Sequence, residues 1–319
     1  MIQQLRNGLG TSALVMLLGC FGSSNALATT IVPGDVLISN HTGSNVQLLD
    51  PITGTVSTVV SVSGTPIGLA FDASQNLYIN VGSGIQRYNP ATNTLDTSFF
   101  TGSGQREGLA FDPMTQTLFS VSFGGNHIEQ VDLNGHLIRN ITIPGTTDLL
   151  GVTARNGNLI VTDLGTGNVY TSTTSNPTTF TTIGNVDPGN TYAPDINAAG
   201  DVFVNDFAGV MDRFHFNGTT WVKSTFITGL SGPDNGLSIA DDGSFTVSQF
   251  NANEVTIFNS DGTLRRNYPG VISPDELTVW APGRVAMTPE PGSVILLASG
   301  IVGLCLLDRR LLHGRPSKC

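Results

Sequence analysis

Two copies of Gly-Leu-Ala-Phe-Asp, at residues 68–72 and 108–112, stand 40 residues apart. Weaker echoes follow at 151–155 (GVTAR), 195–201 (DINAAGD), 236–243 (GLSIADDG) and 275–280 (DELTVW), with a step near 40 to 43 residues. A second series trails each of these: NLYIN (76–80), TLFSVS (117–122), NLIVTD (158–163), DVFVND (201–206) and SFTVSQ (244–249). These short stretches alternate or run apolar, as half-buried strands do. A third series, such as NVQLLD (45–50), GIQRYN (84–89) and HIEQVD (127–132), precedes turns rich in Asp, Asn, Pro and Gly and then a fourth strand. Four short strands per repeat of this length are the signature of a β-propeller blade.

Six repeats fit the chain, and the first is incomplete. It opens with its second strand, GDVLISN (34–40), so its innermost strand must come from elsewhere. DELTVWA (275–281) supplies it, and pairing the two ends in one blade would close the ring and remove exposed sheet edges. The expected fold is therefore all-β, a six-bladed β-propeller over 29–281. Composition agrees: 38 glycines, 12% charged residues and 7% aromatics suit many short strands and tight turns.

The N-terminus reads as an export signal over residues 1–28. Arg6 precedes the apolar core Ser12–Gly22, and Ala26-Leu27-Ala28 offers the small residues a signal peptidase needs. A rival reading of Leu17–Cys20 is a lipobox, with Cys20 as a lipidated N-terminus. The three cysteines are Cys20, Cys305 and Cys319, so the body offers no disulfide, thiolate metal site or cysteine nucleophile. Residues 29–288 carry 22 Asp and Glu against 9 Lys and Arg, a net charge of −13. Such a body is a poor partner for nucleic acid or anionic lipid.

At the other end, residues 282–288 read as a linker. Val294–Leu307 then forms a 14-residue apolar run, short for a transmembrane helix, followed by Arg309 and Arg310. The basic end would stay cytoplasmic and leave the body outside.

Propeller geometry brings the turn entering each first strand and the turn leaving each second strand to one face. Glu107, Asp148, Asp195, Asp234 and Asp275 are expected at the entering side, with Asp163 and Asp206 among the leaving positions. Carboxylates around one channel mouth could hold a hard cation such as Ca²⁺ or grip sugar hydroxyls. Aspartate after proline also simply sets turns. No nucleophile elbow, phosphate loop, dinucleotide fingerprint or H-E-x-x-H motif is present, and the five histidines are scattered without ligand spacing.

Two resemblances add to this reading. GLAFDASQNLYIN (68–80) and PDNGLSIADDGSFTVSQF (233–250) are similar to NHL-repeat propellers. Six-bladed relatives include gluconolactonase-like metal enzymes and non-catalytic binding proteins, so fold alone does not choose between them. The order Pro289-Glu290-Pro291, apolar span, Arg309-Arg310 resembles the PEP-CTERM sorting signal, covering 289–319. That resemblance implies an exosortase partner, a transient membrane helix and the cell envelope of a Gram-negative bacterium that makes extracellular polysaccharide. The expected function is a surface-displayed or released binding protein whose partner is a matrix polysaccharide or surface protein. The alternatives are a metal-dependent lactonase-like hydrolase and a purely structural matrix component.

Overall fold

The computed structural model describes residues 30–231 and 234–280, and the side chains of Asp234 and Asn235 are not described. The export signal, the linker and the sorting segment with Pro289, Glu290, Pro291, Arg309 and Arg310 lie outside the described residues. Among the described residues no helix is long and apolar enough to cross a membrane.

Among the described residues, twenty-four strands, β1 to β24 in chain order, build six antiparallel four-stranded sheets. The innermost strands, in blades I to VI, are β24 (Pro274–Val279), β4 (Pro66–Phe71), β8 (Arg106–Asp112), β12 (Leu149–Arg155), β16 (Thr191–Ile196) and β20 (Asp234–Ile239). The second strands are β1 (Val36–Asn40), β5 (Leu77–Val81), β9 (Thr117–Ser122), β13 (Asn158–Asp163), β17 (Val202–Asp206) and β21 (Phe245–Gln249). The result is the six-bladed propeller expected from the repeat.

Closure works as the incomplete first repeat requires. β24 pairs with β1, with Val36 opposite Val279 and Asn40 opposite Pro274. Two further rungs lock the seam: Gly34 N–H donates to the Trp280 carbonyl (2.9 Å), and Trp280 N–H to that of Asp35 (2.8 Å). Trp280 then meets Phe71 of blade II edge-on, with ring centroids 4.8 Å apart. Apolar side chains fill the spaces between blades, and Tyr78, Phe119, Phe214 and Phe245 are among the largest fully buried.

The aspartate of each GLAFD copy works at the far end of its strand. Asp72 Oδ1 accepts the backbone N–H groups of Ser74 (2.8 Å) and Asn76 (2.9 Å), which fixes the turn into β5. Its other oxygen accepts the buried Tyr78 hydroxyl at 3.0 Å.

The glycine of the repeat does more. Every inner strand carries a bulge near its start, where two residues face one on the second strand. The second bulge residue is Gly68, Gly108, Gly151 and Gly236 in blades II, III, IV and VI. A Cβ on Gly108 would lie 2.8 Å from Val152 N and 2.9 Å from Leu150 O; one on Gly236 would lie 2.7 Å from Leu277 N. Neighbouring inner strands therefore approach through bare backbone. Small polar residues of the second strands bind this junction. Asn80 donates to Glu107 O (2.7 Å), Thr162 to Tyr192 O (2.6 Å) and Asn205 to Gly236 O (3.3 Å), each crossing to the next blade.

Gly108→Ala is expected to destabilise the fold by about 1–3 kcal/mol, because the clash is with backbone that has no room to shift. Chemical denaturation of the variant against the parent measures this; an unchanged midpoint would show that the strands are not in contact there.

Candidate functional site

The bulge that seats each glycine turns the residue before it toward the axis of the ring. That position holds Ile67, Glu107, Leu150, Tyr192 and Asp275 in blades II, III, IV, V and I. The Tyr192 hydroxyl of blade V donates to Asp275 Oδ1 of blade I at 3.1 Å, bridging two blades that are not adjacent. His41, the residue after β1, donates from Nδ1 to Asp275 Oδ2 at 2.7 Å. Three side chains from separate segments thus meet at the channel mouth.

The face is the one the repeat predicts. Residues leaving the second strands bond to those entering the first strands: Phe123 N–H to Gln105 O (2.9 Å), Leu164 to Asp148 (2.8 Å), Phe207 to Asn190 (2.8 Å) and His41 to Ser273 (3.2 Å). The leaving residues form their own ring, at steps of 41 and 43: His41, Gly82, Phe123, Leu164, Phe207 and Phe250. Phe207 packs on Tyr192 with ring centroids 5.1 Å apart, and Phe250 meets His41 edge-on at 5.8 Å. An aromatic arc therefore borders the acidic bridge across blades V, VI and I.

Glu107 enters the mouth from blade III. It is 8% exposed. One carboxylate oxygen lies 3.5 Å from the Gln105 amide, and the other has no hydrogen-bond donor among the described residues. Burial, with Asp275 adding to it, pushes its pKa up to about 8. The bond to Asp275 holds the His41 imidazole above its ordinary range, against the opposing effect of burial. Glu276 is pushed well above the carboxylate range by burial and then by Asp275, Glu107 and Asp195. It occupies the second bulge position, where four other blades have glycine, and lines a channel cavity of about 110 Å³ with Gly108, Pro194, Asp195 and Thr278.

Of the seven carboxylates expected at the mouth, the structure brings Glu107 and Asp275 to one ring. Asp148 sits one residue before its inner strand, where one oxygen accepts Gly124 N–H at 2.8 Å. Asp163 accepts Asp148 N–H (2.8 Å) and Asp206 accepts Val210 N–H (2.8 Å), so both serve turns. Asp195 lies deeper, accepting Ile196 N–H (2.8 Å), the Thr153 hydroxyl (3.1 Å) and Ile239 N–H of blade VI (2.7 Å). Asp234 opens β20. Among the described residues no group of three His, Cys, Asp or Glu side chains is placed to hold a metal ion, so the expected Ca²⁺ site has no such ligand set there.

The fold and this mouth define a six-bladed β-propeller with an acidic, aromatic-edged channel opening. Residues 97–194 match the model of the SdiA-regulated family, spanning the end of blade II to the inner strand of blade V. No curated protein matches the chain in sequence. Among solved structures, a chain from the crystal structure of the nidogen/laminin complex is similar, with a TM-score of 0.68 and 17% identity over 77% of this chain and 97% of that one. A functionally unknown protein from Desulfotomaculum acetoxidans gives a TM-score of 0.59 and 15% identity over 79% and 88%. A streptogramin B lyase gives 0.55 and 15% over 67% and 72%. At these identities the likeness carries the fold alone.

Glu107 and His41 both have folded-state pKa values above their unfolded ones. Each therefore favours folding most fully below its unfolded value and contributes less as pH rises. For Glu107 the loss runs from 4.5 to about 8; for His41 it begins at 6.5. Denaturation midpoints are expected to fall between about pH 5 and 8, with Glu107 contributing on the order of 3 kcal/mol. Glu107→Gln removes that share and is more stable than the parent near pH 8. An equal pH slope in the two proteins would show that Glu107 titrates normally.

Proposed function

We propose that the protein is exported and acts at the cell envelope as a non-enzymatic binding propeller, with the channel mouth as its working face. The observation that carries this reading is the convergence of Glu107, His41, Tyr192 and Asp275 from four separate segments, edged by Phe207 and Phe250. Groups paired chiefly with one another, with an aromatic border, suit recognition of a polar partner better than a metal-centred hydrolase. That reaction needs a convergent ligand set. The partner is an extracellular polysaccharide or a surface protein, and the similarity in fold to a chain of the nidogen/laminin complex is consistent with a protein partner. The order Pro289-Glu290-Pro291, apolar span, Arg309-Arg310 supports sorting by an exosortase through a transient membrane helix.

A second reading, acid–base catalysis, is favoured by one observation: burial raises Glu107 to about 8, into the range where proton transfer is efficient near neutral pH, beside the His41 imidazole. The fold is also shared with a streptogramin B lyase.

Two experiments test the proposal. The mass of the mature protein from a host with its exosortase should show a C-terminus near Pro289–Pro291, and a strain lacking the enzyme should retain the full tail. The same C-terminus in both strains rejects sorting. The full chain, offered to arrays of envelope polysaccharides and surface proteins, should retain a partner that the Tyr192→Ala, Asp275→Ala double variant loses. Turnover of a bound ester or lactone, abolished by Glu107→Gln, would instead establish the catalytic reading.

A further inference from the structure

The mouth already shows which chemistry it accommodates. The half-buried His41 ring donates to Asp275 and rests edge-on against Phe250, so when protonated it is itself a cation set between a carboxylate and an aromatic ring. Opposite it, Glu107 places a buried carboxyl at the same level with one oxygen lacking a donor among the described residues. Asp275 and His41 are foremost among the charges that act on Glu107, which puts its carboxyl within electrostatic reach of both. Tyr192 and Phe207, with centroids 5.1 Å apart, and half-buried Phe250 supply π surface beside the carboxylates. A hard metal ion needs several oxygens around one point, and among the described residues no three His, Cys, Asp or Glu side chains are grouped to supply them. A larger, diffuse cation needs only a carboxylate on one side and aromatic surface on the other.

We propose that the mouth is a binding site for an organic cation, an alkylammonium or quaternary ammonium group seated between the Glu107 and Asp275 carboxyls and the rings of Tyr192, Phe207 and Phe250. This deepens the binding reading and rests on it: the recognised partner presents an amine. The side chain of lysine, protonated up to about pH 10, presents this chemistry.

The site is gated by protons. The charges that interact with Glu107 are Asp275 and Glu276 of β24, His41 after β1 and Asp148 before β12, and Gln105 just before its own strand donates to it; Tyr192 donates to Asp275. At low pH the opening holds a protonated Glu107 and an imidazolium, both unfavourable for an incoming cation. As pH rises, His41 loses its proton and Glu107 ionises, so the mouth gains negative charge. A cation arriving near neutral pH drives the Glu107 proton into solvent. A carboxyl that titrates at about 8 is on the order of a hundredfold more ionised near pH 9 than near pH 6.

Calorimetric titration of the full chain with tetramethylammonium and butylammonium chlorides, at constant ionic strength, tests this. Binding is expected near pH 9, at least about tenfold weaker near pH 6, with proton release that depends on the buffer's ionisation heat. Glu107→Gln should abolish the pH dependence and most of the affinity. Phe207→Leu should weaken binding of the quaternary ion while the Glu107 titration persists. Oligolysine, against its side-chain-acetylated form, shows whether a lysine side chain is the source of the amine. No ammonium binding near pH 9, equal binding by Glu107→Gln, or equal competition by sodium overturns the proposal. If a partner from the arrays still binds at the mouth in that case, the binding reading stands and only its cationic chemistry falls. If no partner binds there, the reading itself falls.

Discussion

The whole ring depends on how closely neighbouring inner strands approach at the bulge. Gly68, Gly108, Gly151 and Gly236 let one blade's backbone lie against the next without an intervening side chain. The same bulge that seats the glycine rotates the preceding residue toward the axis. Packing and site are therefore two sides of one constraint: the glycine fixes the blade, and its predecessor is free to vary. Ile67, Glu107, Leu150, Tyr192 and Asp275 differ so widely because closure of the ring asks little of them. Blade I is the exception that connects the two roles. Glu276 stands where glycine is the rule, and its carboxyl extends the acidic mouth into the channel cavity.

Much of the fold was legible because the repeat spacing is set by that packing. GLAFD marked the inner strands of blades II and III, and the missing first strand pointed to the chain end that completes blade I. The site was less legible. Glu107 and Asp275 are legible as entering carboxylates, whereas Tyr192 lies in no motif and His41 has no partner at ligand spacing in the sequence. The Pro-Asp at 194–195 looked equivalent to those at 233–234 and 274–275. In the structure Thr191, not Pro194, aligns with Asp234 and Pro274, because blade V carries Ala193 in the glycine position and offers no glycine to set the register. Aligning on the first residue of each bulge gives Ile, Glu, Leu, Tyr, Asn and Asp, and that column contains the mouth.

The aromatic border has a similar history. His41, Phe123, Phe207 and Phe250 directly follow the second strands, a position whose composition carries no strand or turn signal of its own. Their meaning is positional. Only when the strands are closed into a ring do residues 41 to 43 apart become neighbours around one opening, and only then does a histidine with no ligand spacing acquire Asp275 as a partner 234 residues away.

Blade III shows why sequence neighbours mislead about charge. Arg106 directly precedes Glu107, and a local reading would pair them. The strand alternates, so the two side chains leave on different sides. Arg106 is buried between blades, donating to Glu129, to the Ser120 hydroxyl (2.9 Å) and to Ser83 O (2.9 Å), with its guanidinium 4.9 Å from the Phe100 ring. Burial draws it down to about 10, so it stays charged at neutral pH, with Glu129 as its counter-ion. Its charge is spent there. Glu107 is left with Asp275 and burial as its dominant influences, and both push its carboxyl up. Had Arg106 faced the axis, Glu107 would be an ordinary carboxylate and the mouth would hold a fixed ion pair. The buried pair with Glu129 is thus what keeps the opening responsive to protons and to an arriving cation.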